Sequence, residues 1–154
     1  MLRIVITLVF FLLLISCDIS ETKLVKQFSS EKNVFGNSLE ICCEDPMTGF
    51  YRDGYCRVKT DRYTSHIVCA EMTDAFLQFS KSRGNDLTQA IPNSSFQGLK
   101  EGDKWCLDIH RWLEAKDAGV APSLFLNATH RRVLTMIPID TLLIFRQEQE
   151  LRNK

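Results

Sequence analysis

The sequence predicts a single small α+β domain, in which short strands and a hairpin pack against three or four short helices. Short segments of alternating apolar residues indicate strands, and apolar residues at helical spacing indicate helices of unequal length. No regular strand–helix–strand rhythm connects them, which argues against a doubly wound parallel sheet. The length of 154 residues and a composition of 45% hydrophobic and 25% charged residues are typical of one globular domain.

The chain begins with a segment that is typical of an export signal. Arg3 precedes a mostly apolar run over Ile4–Ile15. A helix of that run is about 18 Å long at ~1.5 Å per residue, which is short of the ~30 Å hydrocarbon core of a bilayer. The segment is therefore predicted to be a secretory signal rather than a membrane span.

The end of this segment resembles the lipobox of bacterial lipoproteins, with Leu14, Ile15 and Ser16 before Cys17. The resemblance implies a diacylglyceryl group on the Cys17 sulfur, cleavage after Ser16, and acylation of the new N-terminus by a chain such as palmitate. The alternative is an ordinary signal peptide with an incidental cysteine. Asp18 resembles the signal that retains lipoproteins in the inner membrane of some Gram-negative bacteria. The expected location is thus the extracytoplasmic side of the cell membrane.

Four regions are expected along the chain. Residues 1–16 are the signal peptide, and residues 17–32 are the lipidated N-terminus and a polar, flexible tether. A tether of this composition reaches roughly 20–23 Å. Residues 33–145 are the globular domain, and residues 146–154 form a charged tail that frays.

The first predicted strand of the domain is Ser38–Cys42, where apolar and polar residues alternate. Asp53-Gly54, flanked by aromatic residues, then predicts a hairpin or a tight double turn over Phe50–Cys56, because such a turn needs positive φ. Its aromatic side chains are interpreted as core residues, with the wall of a binding site as the alternative. The apolar run Ser65–Cys69 is interpreted as the entry to a helix.

The best-defined helix of the sequence starts after Thr73, whose side chain is suited to an N-cap. Met72, Phe76 and Phe79 give it an apolar face, and Gly84 is predicted to end it. The rest of the domain is predicted to contain, in order, a long loop over 85–102, a strand over 103–109, a helix over 111–118 that ends at Gly119, a short strand within 120–127 after Pro122, a helix over 130–136 capped by Thr129, and a last helix with Pro138 in its first turn.

Long stretches of this domain resemble one protein family. They read NVFGNSLEICCEDPMTGFYRDGYC from Asn33, SHIVCAEMTDAFLQFSKSRGNDL from Ser65, GLKEGDKWCLDIHRWLEAKDAGVAP from Gly98, and the triplet ATH from Ala128. The chain is identified from these motifs as a member of the family called domain of unknown function 2237, over Asn33 to about Leu142. The resemblance implies no activity, because the family is uncharacterised.

The family pattern draws attention to six residues, because it fills the same positions with the same residue types: Cys42, Cys56, His66, Cys69, Cys106 and His130. The chain departs from the pattern at three positions. Cys43 replaces a small polar residue, and Tyr55 and Asp108 stand where many members carry a further cysteine. A mechanism that needs those additional thiols is therefore in doubt for this chain.

Without Cys17, five cysteines remain, and five cannot all pair within one chain. Three interpretations stay open. The thiols are small apolar side chains in the core; some of them form one or two disulfides after export; or a subset binds a metal or carries out thiol chemistry together with histidine.

The metal interpretation takes a definite form, because zinc prefers four tetrahedral nitrogen or sulfur ligands. His66 and Cys69 are three residues apart, and the fold would have to bring Cys106 and His130 to them; Cys42 and Cys56 complete the candidate cluster. His110 does not follow the family pattern and is left out. No paired C-x₂-C spacing supports zinc in the way that it does in established zinc sites.

The sequence does not indicate nucleic-acid binding or any of the common catalytic motifs. Nineteen basic and nineteen acidic residues cancel, so nucleic acid is not an expected partner. Walker, GxSxG, dinucleotide and HExxH motifs are not found. Four aspartates beside predicted turns are interpreted as turn caps, with a converging carboxylate pair as the alternative: Asp45, Asp53, Asp86 and Asp103.

Two functions of different classes follow. The first is a non-catalytic binding or interaction module of the cell envelope, anchored to the membrane through Cys17, with an aromatic surface around Tyr51, Tyr55 and Trp105; the sequence does not indicate whether its partner is a protein or a small molecule. The second is a small Cys/His metal-binding protein or thiol-dependent enzyme. It requires His66, Cys69 and Cys106 to converge in one pocket.

Overall fold

Two antiparallel strands and three short α-helices form the regular structure of residues 31–58 and 66–147, the parts of the chain that the computed structural model describes. They follow the order β1 (His66–Glu71), α1 (Asp74–Ser82), β2 (Lys104–Asp108), α2 (Ile109–Asp117), two 3₁₀ helices (Leu126–Ala128 and Arg131–Thr135) and α3 (Ile139–Ile144). These elements belong to one compact unit that begins at Lys32. The predicted α+β class is confirmed.

The two strands separate two buried clusters. Cys69 lies opposite Cys106, and Ala70 lies opposite Trp105. Because successive side chains of a strand point to opposite faces, the two cysteines share one face while Ala70 and Trp105 share the other. The apolar core lies on the Ala70 face, and a cysteine-rich cluster lies on the Cys69 face.

The apolar core is built mainly by α1 and α2 against the sheet. Phe76 of α1 and Trp112 of α2 are fully buried. The Trp112 indole donates a 3.0 Å hydrogen bond to the Pro122 carbonyl, so its polar group is satisfied inside the core. Phe145, just after α3, packs edge-to-face on Trp112 with ring centroids 5.0 Å apart.

Several predicted elements are confirmed. Thr73 caps α1 by accepting from the Phe76 amide at 3.2 Å, and the helix ends before Gly84. The loop over 85–102 contains no helix or strand, and β2 and α2 occupy their predicted positions. Helix α2 begins two residues earlier than predicted, because the Asp108 side chain accepts from the His110 amide at 2.8 Å and caps it there.

The interpretation of Ser65–Cys69 as the entry to a helix is wrong from His66 onward, where β1 begins. Residues 67–70 are all buried, because β1 contributes side chains to both clusters. A strand buried on both faces loses the alternation that marks a strand in sequence.

The predicted strand Ser38–Cys42 is not formed either. Ser38 makes one isolated bridge to Lys32, and the Cys42 amide donates to the Gly54 carbonyl at 2.8 Å. The segment bonds to a turn rather than to another strand. Over Phe50–Cys56, the structure has the tight double turn and not the hairpin: the Arg52 amide donates to Gly49, and the Gly54 amide donates to Thr48.

The predictions after α2 are partly wrong. Leu124 forms single bridges to Ala70 and Arg146 in place of a strand. The predicted helix over 130–136 is a 3₁₀ helix capped by the His130 side chain. Thr129 does not cap it, because its hydroxyl bonds to the Phe125 carbonyl and the Cys69 amide. Pro138 lies at the N-cap of α3, one position before the predicted first turn.

The signal segment, Cys17 and most of the tether fall in residues 1–30, outside the described part of the chain, as do residues 148–154 of the tail. Within the described ranges, no helix combines the length and the apolar character that crossing a membrane requires.

Candidate functional site

A cleft of about 370 Å³ lies between the turn over residues 49–52 and the loop that follows α1. Gly49, Phe50 and Arg52 line it on the turn side. The loop contributes Asn85, Asp86, Leu87, Ile91 and Phe96, and the remaining lining residues come from the sheet: His66, Trp105 and Cys106. Phe96, Trp105 and Cys106 are buried, so they form the base of the cleft.

The turn holds a cation over an aromatic ring. The Arg52 guanidinium carbon lies 5.1 Å from the centroid of the Trp105 ring, within the range of a cation–π interaction. Trp105 packs edge-to-face on Phe96, with ring centroids 5.2 Å apart. The positive charge therefore has a fixed position at the wall of the cleft, above an apolar base.

Backbone geometry keeps Arg52 in that position. Arg52 has φ 54°, the left-handed region that non-glycine residues seldom occupy. Gly49 has φ 88°, and a Cβ added there would collide with the carbonyl oxygen of Tyr55. Asp53 closes the turn by accepting from the Tyr55 amide at 3.1 Å and by pairing with Arg57.

The opposite wall carries a carboxylate whose hydrogen bonds are made within the loop. Asp86 Oδ1 accepts from the Thr88 hydroxyl at 2.6 Å and from the Thr88 amide at 2.9 Å. Lys81 Nζ lies 3.1 Å from Asp86 Oδ2. These hydrogen bonds, those from Thr88 first, and the Lys81 charge lower the pKa of Asp86 below its ordinary value. Its negative charge is thus already compensated by Lys81.

Apolar side chains complete the opening. Ile91 is 55% exposed and Phe50 is 43% exposed, which is high for large apolar residues. A cleft of this size with an apolar lining and a few fixed polar groups has the form of a small-molecule site. The arrangement suits a ligand that has an anionic group for Arg52 and an apolar part for Phe50 and Ile91.

A second depression of about 600 Å³ shares Phe96 and Trp105 with the cleft. It lies between residues 44–47 and residues 95–100, and its charged groups are of both signs. Arg52, whose guanidinium stacks on Trp105, lines the first cleft and does not line this depression. We therefore treat the first cleft as the candidate site.

The structure pairs four of the six candidate residues as disulfides, Cys42–Cys69 and Cys56–Cys106. Cys43 is the free cysteine of the described ranges. Of the three interpretations of the thiols, the structure has the one in which two disulfides form.

The two candidate histidines lie apart. His66 lines the cleft together with Cys106. His130 caps a 3₁₀ helix, its Nδ1 accepting from the Arg132 amide at 3.0 Å, and it does not line the cleft. Of the three residues that a Cys/His site requires in one pocket, His66 and Cys106 line the cleft and Cys69 does not. Both cysteines are bonded in disulfides, Cys106 to Cys56 and Cys69 to Cys42.

Three of the four aspartates cap turns, as interpreted from the sequence. Asp53, Asp86 and Asp103 each accept a backbone amide two or three residues away. Of the predicted aromatic surface, Tyr51 is 47% exposed, but Trp105 is only 7% exposed and serves as the base of the cleft.

Arg52 was not identified from the sequence as a site residue. Its one local signal is its place between two turn glycines, Gly49 and Gly54. Its partner Trp105 is distant in sequence, so the stacking arises only in the fold.

Comparison with known protein families assigns most of the chain to one family. The sequence model of a protein family described as "Uncharacterized protein conserved in bacteria (DUF2237)" matches residues 32–146. No curated protein matches the chain.

Proposed function

The chain belongs to the DUF2237 family of uncharacterized proteins conserved in bacteria, and we propose that it is a non-catalytic ligand-binding module of the cell envelope. In this proposal a lipid on Cys17 anchors the protein to the membrane, and the domain faces away from the cytoplasm. Its ligand is a small organic anion with an apolar portion, and nucleic acid is not a partner.

The observation that carries the binding function is the cleft itself. Arg52 supplies a positive charge that is held over Trp105. Asp86, the carboxylate that lines the cleft, bonds to Thr88 and pairs with Lys81 rather than with Arg52. The exposed Ile91 and Phe50 supply apolar surface on either side. A fixed charge beside apolar walls gives both orientation and affinity.

Two features support a location outside the cytoplasm. The residues Leu14 to Cys17 resemble a lipobox, and two structural disulfides are typical of proteins in oxidising compartments. An acyl chain contributes about 0.8 kcal/mol per buried CH₂, so two or three chains are sufficient for stable anchoring. Asp18 favours the inner membrane in those bacteria that use this signal.

Binding is tested with 1-anilinonaphthalene-8-sulfonate, a fluorescent anion with an apolar ring system. We expect saturable binding to the full chain and shifts of the Gly49 and Asp86 amide resonances. Arg52→Asn should raise the dissociation constant about tenfold or more, since a charge-assisted contact contributes about 1.5–3 kcal/mol to binding. Asparagine is chosen because it tolerates the positive φ of position 52.

The matched control is Arg83→Asn. Arg83 also stacks on an aromatic ring, with its guanidinium carbon 5.4 Å from the Phe79 centroid, but it does not line the cleft. It should leave the dissociation constant unchanged. Equal binding by Arg52→Asn and the wild type, or resonance shifts that avoid the cleft, would refute the proposal.

The anchor is tested separately by metabolic labelling with an alkyne-tagged palmitate in a bacterial host. The full chain should take up the label and fractionate with membranes, and Cys17→Ala should do neither. Cys43→Ala is the control, and it should label like the wild type. Label on a Cys17→Ala chain would show that the lipid is elsewhere, whereas an unlabelled wild-type chain would leave the cleft without a membrane anchor.

A further inference from the structure

The cysteine-rich cluster forms a buried unit of its own. It contains Cys42, Cys56, Cys69 and Cys106 together with Phe125 and Ala128, and each of these residues is at most 8% exposed. Four of its six members carry sulfur. This cluster is separate from the apolar core.

The sheet register brings the four sulfurs together. Cys69 and Cys106 are opposite each other on β1 and β2. The Cys69 amide bonds outward to the Thr129 hydroxyl at 3.1 Å, and the Cys106 amide bonds outward to the Thr48 hydroxyl at 2.8 Å. They are thus a non-hydrogen-bonded pair, the kind in which cross-strand side chains lie closest.

The other two cysteines approach the same point from the first part of the domain. The Cα atoms of Cys42 and Cys69 are 5.6 Å apart, and those of Cys56 and Cys106 are 5.1 Å apart. The sulfurs of Cys42, Cys56 and Cys106 all lie within 4.8 Å of one another. The two disulfides are therefore in contact, rather than being distant links that happen to share a strand pair.

Three of the four sulfurs lie within 4.8 Å of one another, and the fourth, that of Cys69, is bonded to Cys42 of this group. Four cysteine sulfurs are the ligand set of one structural zinc ion. Zinc binds four thiolates tetrahedrally at about 2.3 Å, which places the sulfurs about 3.8 Å from one another. The Cys42 sulfur lies within 4.8 Å of the Cys56 and Cys106 sulfurs, to which it is not bonded. A zinc site formed without a change of fold requires the bonded sulfurs to part and all four to close on one point by side-chain rotation.

We propose that these four cysteines form a zinc(II) site whenever the two disulfides are reduced. The cluster then has two forms, a disulfide form and a Zn(Cys)₄ form, with the same fold. This differs from the set predicted from the sequence, because His66 and His130 take no part. The inference does not depend on the ligand of the cleft or on the lipid anchor.

The chemistry of the conversion balances. Two dithiol molecules transfer four electrons to the two disulfides, giving four cysteine thiols and two oxidised dithiols. Binding of Zn²⁺ by the four thiols releases four protons. In the reverse direction, two molecules of an azodicarbonyl oxidant such as diamide each accept two electrons from the thiolates and two protons from the solvent; both disulfides reform and Zn²⁺ is released without changing its oxidation state.

The first experiment measures zinc in the full chain, kept in detergent because its first residues are apolar. After anaerobic reduction and dialysis against Zn²⁺, mass spectrometry of the metal should give one zinc per chain, whereas the unreduced chain should hold none. Diamide should release the zinc and lower the denatured mass by about two daltons per disulfide. The zinc-loaded chain should have the circular dichroism spectrum of the disulfide form.

The second experiment identifies the ligands without any variant, so it does not depend on whether a variant folds. Zinc K-edge X-ray absorption should give four sulfur neighbours at about 2.3 Å and no nitrogen or oxygen neighbour. Cobalt(II) in place of zinc should give the visible spectrum of a tetrahedral thiolate site.

Cys43→Ser is the matched control, because Cys43 is a cysteine next to Cys42 that is outside the cluster. It should keep one zinc and the four-sulfur spectrum, whereas Cys56→Ser should lose high-affinity zinc. The proposal is overturned if the reduced wild type binds no zinc, binds it while unfolded, or binds it through nitrogen, oxygen or Cys43.

Discussion

Gly49 shows how one residue determines the shape of the cleft. Its φ of 88° is open to other residues only at a cost, and its Cα faces the Tyr55 carbonyl so closely that a methyl group has no space. Gly36 shares the backbone conformation, with φ 82°, but nothing lies within 4 Å of the position of its Cβ. Alanine variants of these two glycines therefore distinguish the cost of the positive φ, which both share, from the cost of the steric collision, which only Gly49 has.

We expect Gly36→Ala to lower the free energy of unfolding by about 1–2 kcal/mol, the cost of a left-handed alanine. Gly49→Ala should lower the free energy of unfolding by that amount and by roughly 1–3 kcal/mol more, because the Tyr55 carbonyl must move to make space for the methyl group. Urea denaturation of both variants measures the difference. Equal losses would show that the turn relaxes freely.

Asp86 makes the stability of the protein depend on pH, because its pKa is lowered in the folded state. The Thr88 hydroxyl contributes most to the low pKa of Asp86, so Thr88→Val should raise that pKa towards the ordinary value of an aspartate. Carboxyl-carbon NMR of the two proteins measures it. An unchanged pKa would mean that the Thr88 amide and Lys81 alone hold the charge.

The sign of the stability effect follows from the direction of the pKa shift. A carboxyl with a lower pKa in the folded state stabilises the protein above its unfolded pKa, and this contribution is lost as the pH falls through the folded pKa. Wild-type stability should therefore decline at acidic pH more steeply than that of Thr88→Val.

At the scale of elements, a sheet of two strands depends on what covers its edges. Two-stranded sheets are only marginally stable by themselves. Buried threonine hydroxyls bond to the outward amides of both strands, Thr129 to Cys69 and Thr48 to Cys106. These contacts join the strands to segments that have no regular structure of their own.

Thr48→Val and Thr129→Val should each lower the free energy of unfolding by about 1–3 kcal/mol, because each leaves a buried amide without a partner. The loss should be larger for Thr129, whose hydroxyl also donates to the Phe125 carbonyl at 2.8 Å. Thr129→Ser should restore most of it. Thr135→Val, at an exposed threonine, is the control and should change stability by less than about 0.5 kcal/mol.

Elements with local signals could be predicted from the sequence. Helix α1 has a capping threonine, a one-sided apolar face and a terminal glycine, and β2 follows the turn at Gly102. Strand β1 could not be recognised, because Cys69 is buried on one face and apolar residues are buried on the other, which removes its alternation. The position of Ser38–Cys42 depends on the Gly54 carbonyl, a partner that no local pattern specifies.

At the scale of the whole molecule, the two disulfides close long loops. The paired residues are separated by 27 and 50 positions, and cross-links of these lengths contribute roughly 3–4 kcal/mol each through the entropy of the unfolded chain. For a domain whose total stability is of the order of 5–15 kcal/mol, both links together are a large share.

Replacing either pair by alanines should lower the free energy of unfolding by about 3–4 kcal/mol, with the larger loss for Cys56 and Cys106 because they close the longer loop. Guanidinium denaturation without reductant measures it. Cys43→Ala, which breaks no disulfide, should lose less than about 1 kcal/mol. A loss in that control as large as in the double variants would assign the effect to packing.

Only part of the candidate site could be predicted from the sequence, because some of its features depend on tertiary contacts. The sequence identifies which cysteines and histidines could act together, but their pairing depends on the register that places Cys69 against Cys106. Arg52 depends on Trp105, which reaches it only through the fold. Residue types are local information, whereas the partners of a site are set by tertiary packing.

The order of the disulfides has a consequence for how the polypeptide can be divided. Among the four bonded cysteines, read along the chain, the first is joined to the third and the second to the fourth, so the two closed loops interlace. A protease that makes one cut anywhere between Cys42 and Cys106 always leaves a bridge across the cut. The nicked protein should keep its full mass on a non-reducing gel and separate into two fragments only when a reductant is added.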